Sequence, residues 1–176
     1  NGIKLYNSVG DDVPIVSVTD KSQSKAACVA MMIQFEGGTV TVEQIEEMGS
    51  TSVGVLNSYM KRGAVNLSGA TLDQVLYYVS NGSPVMAKRT DGSFLLITSY
   101  NSTLIRAIDP ITGESSQMNR KEMEEEFKRV QNIIDQEKEN YRKGEISSGD
   151  FYAYVVGVFT AELSLFFNNR FNTDLD

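Results

Sequence analysis

Apolar positions recur with helical spacing through most of the first 80 residues and gather into strand-like runs after residue 84. Residues 3–6 and 13–18 read as short extended segments, split by the turn signal Gly10-Asp11-Asp12. Residues 24–36 predict a buried helix, because Ala26, Ala27, Ala30, Met31, Ile33 and Phe35 leave little polar surface and Gly37-Gly38 supply its stop. Residues 41–48 predict a short helix, with Thr41 and Gln44 spaced as a capping box. Another helix is expected over 52–60, stopped by Gly63, and a small strand over 64–67. Residues 71–79 place Leu72, Val75, Leu76 and Val79 on one helical face, and the turn Asn81-Gly82-Ser83-Pro84 follows.

Beyond that turn the texture changes. Residues 85–88, 94–100 and 104–108 are β-rich, separated by the hairpin signals Thr90-Asp91-Gly92 and Asn101-Ser102. Helices followed by sheet is the order of an α+β domain rather than an alternating α/β one. Residues 119–143 predict a long charged helix with a box at Asn119 and Glu122. Its apolar stripe is Met123, Phe127, Val130, Ile134 and Tyr141. Such a stripe packs a surface helix on the body of a fold, or serves as a self-association or partner face. Residues 151–159 alternate like a strand returning to the sheet, and 161–176 form a tail. The expected organisation is one domain over 1–160, with 119–143 as a helical insertion, and the tail after it.

Composition narrows the chemistry. The 176 residues include no histidine and one cysteine. Every mechanism that needs an imidazole is thereby excluded: the Ser-His-Asp triad, the Cys-His pair and His-ligated zinc. One cysteine leaves no intrachain disulfide and no four-cysteine metal site. A net charge of −7 argues against nucleic-acid binding. The apolar stretch 151–167 reaches only the lower length limit for a membrane span, carries Glu162 and opens with strand alternation, so membrane insertion is not expected. Asp11-Asp12 and Glu124-Glu125-Glu126 lack EF-hand spacing and read as solvated positions, and no phosphate loop occurs. No metal or cofactor is expected. The opening at Asn1 rather than Met is what a trimmed or excised segment would show.

A family resemblance adds to this reading. Val13-Pro14-Ile15-Val16-Ser17-Val18, five further residues, then Ser24-Lys25-Ala26-Ala27-Cys28-Val29-Ala30-Met31 resembles the start of the C39-like cysteine peptidases, whose pattern is roughly V-P-x-x-x-Q, five residues and C-G-P-A-x-x-A-M. Residues 76–85, ending in Gly82-Ser83-Pro84-Val85, resemble that family's helix followed by G-x-P-V. Residues 92–100 resemble its G-H-hydrophobic-G-Y strand, and Ile108-Asp109-Pro110 with Gly113 resembles its V-x-D-P-x-x-G element. Together these span residues 13–127. The resemblance implies a papain-like α+β fold, N-terminal helices on a C-terminal antiparallel sheet, with the long charged helix inserted before the last strand.

The departures set the functional expectation. By the resemblance, Val18 stands where the family has its oxyanion-stabilising Gln, Ser24 where it has the nucleophilic Cys, and Ser93 where it has the His, while Asp109 is retained. Cys28 comes four residues after the nucleophile position and reads as a small core residue. A serine hydroxyl is a poor nucleophile without an adjacent base, and Ser93 is no base near neutral pH. A Ser24-Lys25 dyad is disfavoured because adjacent helical residues point about 100° apart. The expected protein is an inactive C39-like domain that binds a peptide or protein partner around Val18, Ser24, Ser93 and Asp109. The alternative is an assembly module of an envelope or transport machine, using Met123, Phe127, Val130 and Ile134 for self-association or partner contact. The resemblance further implies a bacterial cell-surface or envelope location, or the cytoplasmic side of an exporter.

Overall fold

The computed structural model describes residues 9, 13–49, 52–59, 63–67, 69–142 and 154–156. Among these residues six strands form one sheet: β1 (Val65–Asn66), β2 (Val85–Lys88), β3 (Phe94–Tyr100), β4 (Leu104–Asp109), β5 (Glu114–Asn119) and β6 (Tyr154–Val156). Their spatial order is β1-β6-β2-β3-β4-β5, and all neighbouring pairs are antiparallel. Residues 85–109 supply the centre through two tight hairpins, which is why this part of the sequence reads so plainly as sheet. β6 returns from beyond the long helix and inserts between β1 and β2.

Among the described residues, five α-helices accompany the sheet: α1 (Ser24–Phe35), α2 (Val42–Met48), α3 (Ser52–Tyr59), α4 (Leu72–Ser80) and α5 (Arg120–Arg142). Their ends follow local chemistry. The Thr41 hydroxyl accepts from the Gln44 N–H while the Gln44 side chain accepts from the Thr41 N–H. Thr71 and Gln74 repeat that reciprocal box at the start of α4. At the end of α1, Gly38 N–H donates to the Ile33 carbonyl, and Gly37 adopts φ +89°, a conformation open to glycine without penalty. Asn119 Oδ1 accepts from the Glu122 N–H and caps α5.

The sheet separates two apolar cores. α1, α2 and α3 pack with Met86, Phe94, Leu96 and Ile108 on one side. α4 and α5 pack with Val85, Ala87, Leu95, Ile97, Ile105 and Ala107 on the other. Strand alternation explains the division: Phe94 and Leu96 face one core, Leu95 and Ile97 the other. α1 is buried on nearly every side, so its 24–33 stretch, Lys25 excepted, is closed off from water.

Two expectations are corrected, and one of two readings of the α5 stripe is the one observed. Residues 13–18 are not a strand. They run as irregular chain, and the Val18 N–H bonds the Pro110 carbonyl at 2.8 Å. β5 was not expected at all. The stripe on α5 belongs to the body of the fold: Met123, Phe127, Val130 and Ile134 are 4%, 4%, 1% and 0% exposed in the α4-side core. Partner contact through these four side chains would require α5 to leave the sheet. The side chain of Tyr141, residues 3–6, most of the 151–159 segment and the tail 161–176 lie outside the described residues.

Candidate functional site

The four positions singled out by the resemblance come from four places: Val18 from the segment before α1, Ser24 from the start of α1, Ser93 from the residue before β3 and Asp109 from the end of β4. α1 is launched by a 3-10 turn, Lys21–Gln23. Asp20 Oδ1 caps that turn, accepting from the Ser22 N–H and hydroxyl at 2.9 Å each, and these bonds hold its carboxyl below the usual value. Gln23 Nε2 donates to Glu46 Oε1 at 3.2 Å and ties the turn to α2.

Ser24 is the first residue of α1 and is fully buried. Its hydroxyl donates to the Lys21 carbonyl at 2.7 Å and accepts from the Phe94 N–H at 3.0 Å. The helix start is therefore fastened to the first residue of β3. Ser93, directly before it, is 5% exposed, and its hydroxyl turns the other way: both its N–H and Oγ donate to Asp91 Oδ1, at 2.9 and 2.6 Å. These two bonds, the hydroxyl first, hold the Asp91 carboxyl below its ordinary value. The Arg89 N–H donates to the Ser93 carbonyl at 2.7 Å and closes the β2–β3 hairpin.

Asp109 ends β4. Its Oδ1 accepts from the Ile111 N–H at 2.9 Å, and its carbonyl accepts from the Gly113 N–H at 2.8 Å. Gly113 has φ +72°, and a Cβ there would meet Ser17 Oγ at 3.0 Å, so the β4–β5 turn lies tight against the segment that carries Val18. Val18 is 9% exposed and meets this turn through Pro110. Val18 is thus joined to the residue after Asp109, and Ser24 to the residue after Ser93, while the Ser93 and Asp109 side chains are engaged in separate local bonds.

Cys28 is fully buried one helical turn beyond Ser24. Burial pushes its thiol strongly up, and the Asp109 carboxylate adds a smaller push in the same direction. A thiolate is the reactive form, so this cysteine is held in its inert one. Among the described residues no group of three or more His, Cys, Asp or Glu is placed to hold a metal ion, and no helix is long and apolar enough to cross a membrane.

A concavity of about 260 Å³ opens beside the same end of α1, bounded by α1, α2 and α3. Lys25, Ala26 and Val29 line it from α1, Ile45 and Glu46 from α2, Ser52 and Val55 from α3. Lys25 reaches it because it follows Ser24 by about 100° around the helix. Burial holds the Lys25 ammonium below its usual value, and the charge of Lys88 adds to that. Sequence reasoning considered Lys25 only as a partner for Ser24. The overlooked signal was a single cation in a helix otherwise built from Ala, Val, Met and Ile.

No family model matches this chain, and no curated protein matches it by sequence. Its architecture is nonetheless similar to that of a C39-like peptidase, an α+β fold of helices on an antiparallel sheet. A solved structure similar to it is that of a Bacillus anthracis protein provisionally described as a C39-like peptidase, at a TM-score of 0.63 and 13% identity, covering 85% of this chain and 96% of that one. The likeness is one of fold.

Proposed function

We propose that this chain is a non-catalytic C39-like domain that serves as a peptide- or protein-binding module, with Val18, Ser24, Ser93 and Asp109 marking where the peptidase centre would stand. The observation that carries the reading is the state of Ser24. Its proton is given to the Lys21 carbonyl and its oxygen takes the Phe94 N–H, in a position closed to solvent. Nucleophilic attack needs an adjacent base and an approach path for the substrate carbonyl. Ser93 is turned to Asp91, Asp109 is turned to Ile111, and the chain has no imidazole for Asp109 to orient. What supports a binding role is the solvent-accessible concavity left beside this closed centre.

The test has two arms. Incubation with a quenched-fluorescence peptide library is expected to give no turnover above buffer; turnover abolished by Ser24→Ala would overturn the non-catalytic reading. Titration of ¹⁵N-labelled protein with extended peptides is expected to shift amides around residues 22–29 and 93–94. Shifts confined to regions remote from both, or none with any peptide, would overturn the binding role.

A further inference from the structure

β5 is the outer strand of the sheet, with β4 on one side only. We infer that its free edge takes an extended peptide as an added antiparallel strand, and that Arg106 selects a peptide with a carboxylate side chain opposite Gln117. This surface is separate from the Ser24 region and does not depend on the role proposed for that region. The hydrogen bonds at the strand ends fix which backbone groups are free. The Asn101 N–H donates to the Leu104 carbonyl, so Leu104 turns its backbone toward β3 and Ile105 turns its own toward β5. The Arg120 N–H donates to the Thr103 carbonyl at 2.8 Å, which sets the same alternation from the other strand. Glu114, Ser116 and Met118 therefore bond β4, and the N–H and C=O groups of Ser115 and Gln117 point outward. Among the described residues nothing bonds these outward groups, and residues 114–117 are exposed. An exposed edge is ordinarily guarded by lysine, proline or a bulge, because it pairs readily with another chain. β5 has neither Lys nor Pro, and its register with β4 runs unbroken from Leu104–Asn119 to Asp109–Glu114. Its polar side chains keep the edge soluble while leaving the backbone open to strand addition.

Arg106 supplies the selection. It stands directly opposite Gln117 in the ladder, so the two side chains share one face of the sheet. Its Nε is enclosed and has no hydrogen-bond partner, and among the described residues its guanidinium makes no ion pair. An enclosed donor left unmade is costly, and a carboxylate brought by a ligand removes that cost with a charge-assisted bond. A peptide residue paired with Gln117 lies two strand spacings from Arg106, about 10 Å between backbones, and on the same face. Arginine and glutamate side chains reaching toward each other over Gln117 span that distance. Glu114 alternates onto the opposite face and does not confront the incoming charge.

The probes are acetyl-Thr-Val-Thr-Glu-Thr-Val-Thr-amide and its match with Gln in place of Glu, each titrated into the ¹⁵N-labelled full chain. The Glu peptide is expected to shift the amides of Ser115 and Gln117 most. The Gln peptide is expected to bind about fivefold or more weakly, the loss for removing one charge-assisted contact. The Glu peptide N-methylated at its glutamate and both valines lacks the N–H groups that would face β5, and is expected not to bind. Gln117→Pro deletes an outward donor and no bond to β4, the placement in which an edge strand tolerates proline. It is expected to lose both peptides, with amide dispersion and melting temperature confirming a folded protein. Arg106→Gln is expected to bind the two peptides equally. No shift at residues 115–117, equal binding of both peptides by the parent chain, undiminished binding of the N-methylated peptide, or an unchanged preference in Arg106→Gln would each overturn the assignment. So would a dimer in light scattering that Gln117→Pro converts to monomer, since a second copy would then hold the edge. Shifts at residues 22–29 and 93–94 alone would sink this inference and leave the Ser24 region as the binding site; shifts at β5 alone would do the reverse.

Discussion

The hydroxyl of Ser24 accepts a hydrogen bond from the backbone N–H of Phe94 across 70 positions of sequence, joining the first residue of α1 to the first residue of β3. Both residues are buried, 0% and 5% exposed. The bond does the work of a staple between the helical layer and the sheet.

Ser24→Ala therefore leaves a buried N–H without its acceptor. The cost of such an orphaned group is about 1–3 kcal/mol. Urea unfolding of the variant is expected to show a loss in that range with an unchanged slope. A loss within experimental error would show that water replaces the hydroxyl and that the staple is not needed.

Replacing Ser24 by cysteine restores the family's residue type but not its setting. A thiol there is enclosed by the Lys21 carbonyl, the Phe94 N–H and apolar neighbours, and Cys28 one turn away is already held in its protonated form. Native Ser24→Cys is expected to react with iodoacetamide far more slowly than the same protein in denaturant, at both thiols. Rapid labelling of one thiol per chain in the native state would mean that position 24 opens to solvent. That would reopen the case for a reactive centre.

Ser93 provides a separate check on the same region. Its hydroxyl is the leading cause of the lowered Asp91 carboxyl, with the Ser93 N–H second. Ser93→Ala is expected to move the Asp91 pKa part of the way back toward its ordinary value, since the backbone bond persists. A carboxyl-carbon NMR titration reads this directly. An unmoved Asp91 would mean that the Ser93 hydroxyl points elsewhere in solution.

Much of this arrangement was legible in the sequence because local chemistry agrees with the tertiary result. The Thr41 and Gln44 spacing, the Gly37-Gly38 stop and the hairpins between residues 85 and 109 each specify one geometry. β5 was not legible. Its sequence, Glu-Ser-Ser-Gln-Met-Asn, has no alternation and low strand propensity, and it is extended because β4 offers it a complete ladder from Leu104–Asn119 to Asp109–Glu114. Residues 13–18 misled for the opposite reason: apolar alternation suggested a strand, but Pro14 has no N–H to give and the segment lies along the turn at Pro110 instead. At the candidate site, sequence could place Ser24 and Ser93 in register with a family pattern. It could not reveal that one hydroxyl would be fastened to Phe94 and the other to Asp91, nor that three helices would leave a concavity at Lys25, because those facts depend on contacts between distant segments.

The buried titratable groups give a signed pH dependence. Burial raises the Cys28 thiol and the Tyr78 phenol. Each keeps its proton in the folded chain at pH values where the unfolded chain has lost it. Stability contributed by both is fully present below about pH 8.5 and falls as pH rises past about 8.5 for the thiol and about 10 for the phenol, by up to about 1.4 kcal/mol per pH unit for each. Lys25 acts in the opposite sense, since its lowered value means that the unfolded chain holds the extra proton, so stability rises with pH through its folded value. Two groups oppose one above pH 10, and the net slope is negative. Denaturant midpoints are expected to fall between pH 10 and 11, and Cys28→Ala is expected to flatten that fall although it removes core volume. A midpoint that rises over this interval would contradict the burial of Tyr78 and Cys28.

The face of α5 that looked available for a partner is the one that closes the α4-side core, which leads to a paired expectation. Phe127 is 4% exposed and Ile133, six positions on, is 40% exposed. Phe127→Ala should cost about 3–5 kcal/mol through the cavity it leaves, and Ile134→Ala about 2–5 kcal/mol for the same reason. Ile133→Ala should lie within about 0.5 kcal/mol of the parent. Light scattering is expected to return the parent mass for Ile133→Ala and for any folded population of Phe127→Ala. If Phe127→Ala instead left stability intact and lowered the mass, the stripe would be covered by a second chain rather than by this chain's own sheet. The thermodynamic and mass readouts must move in opposite ways under the two arrangements, so one pair of variants decides between them.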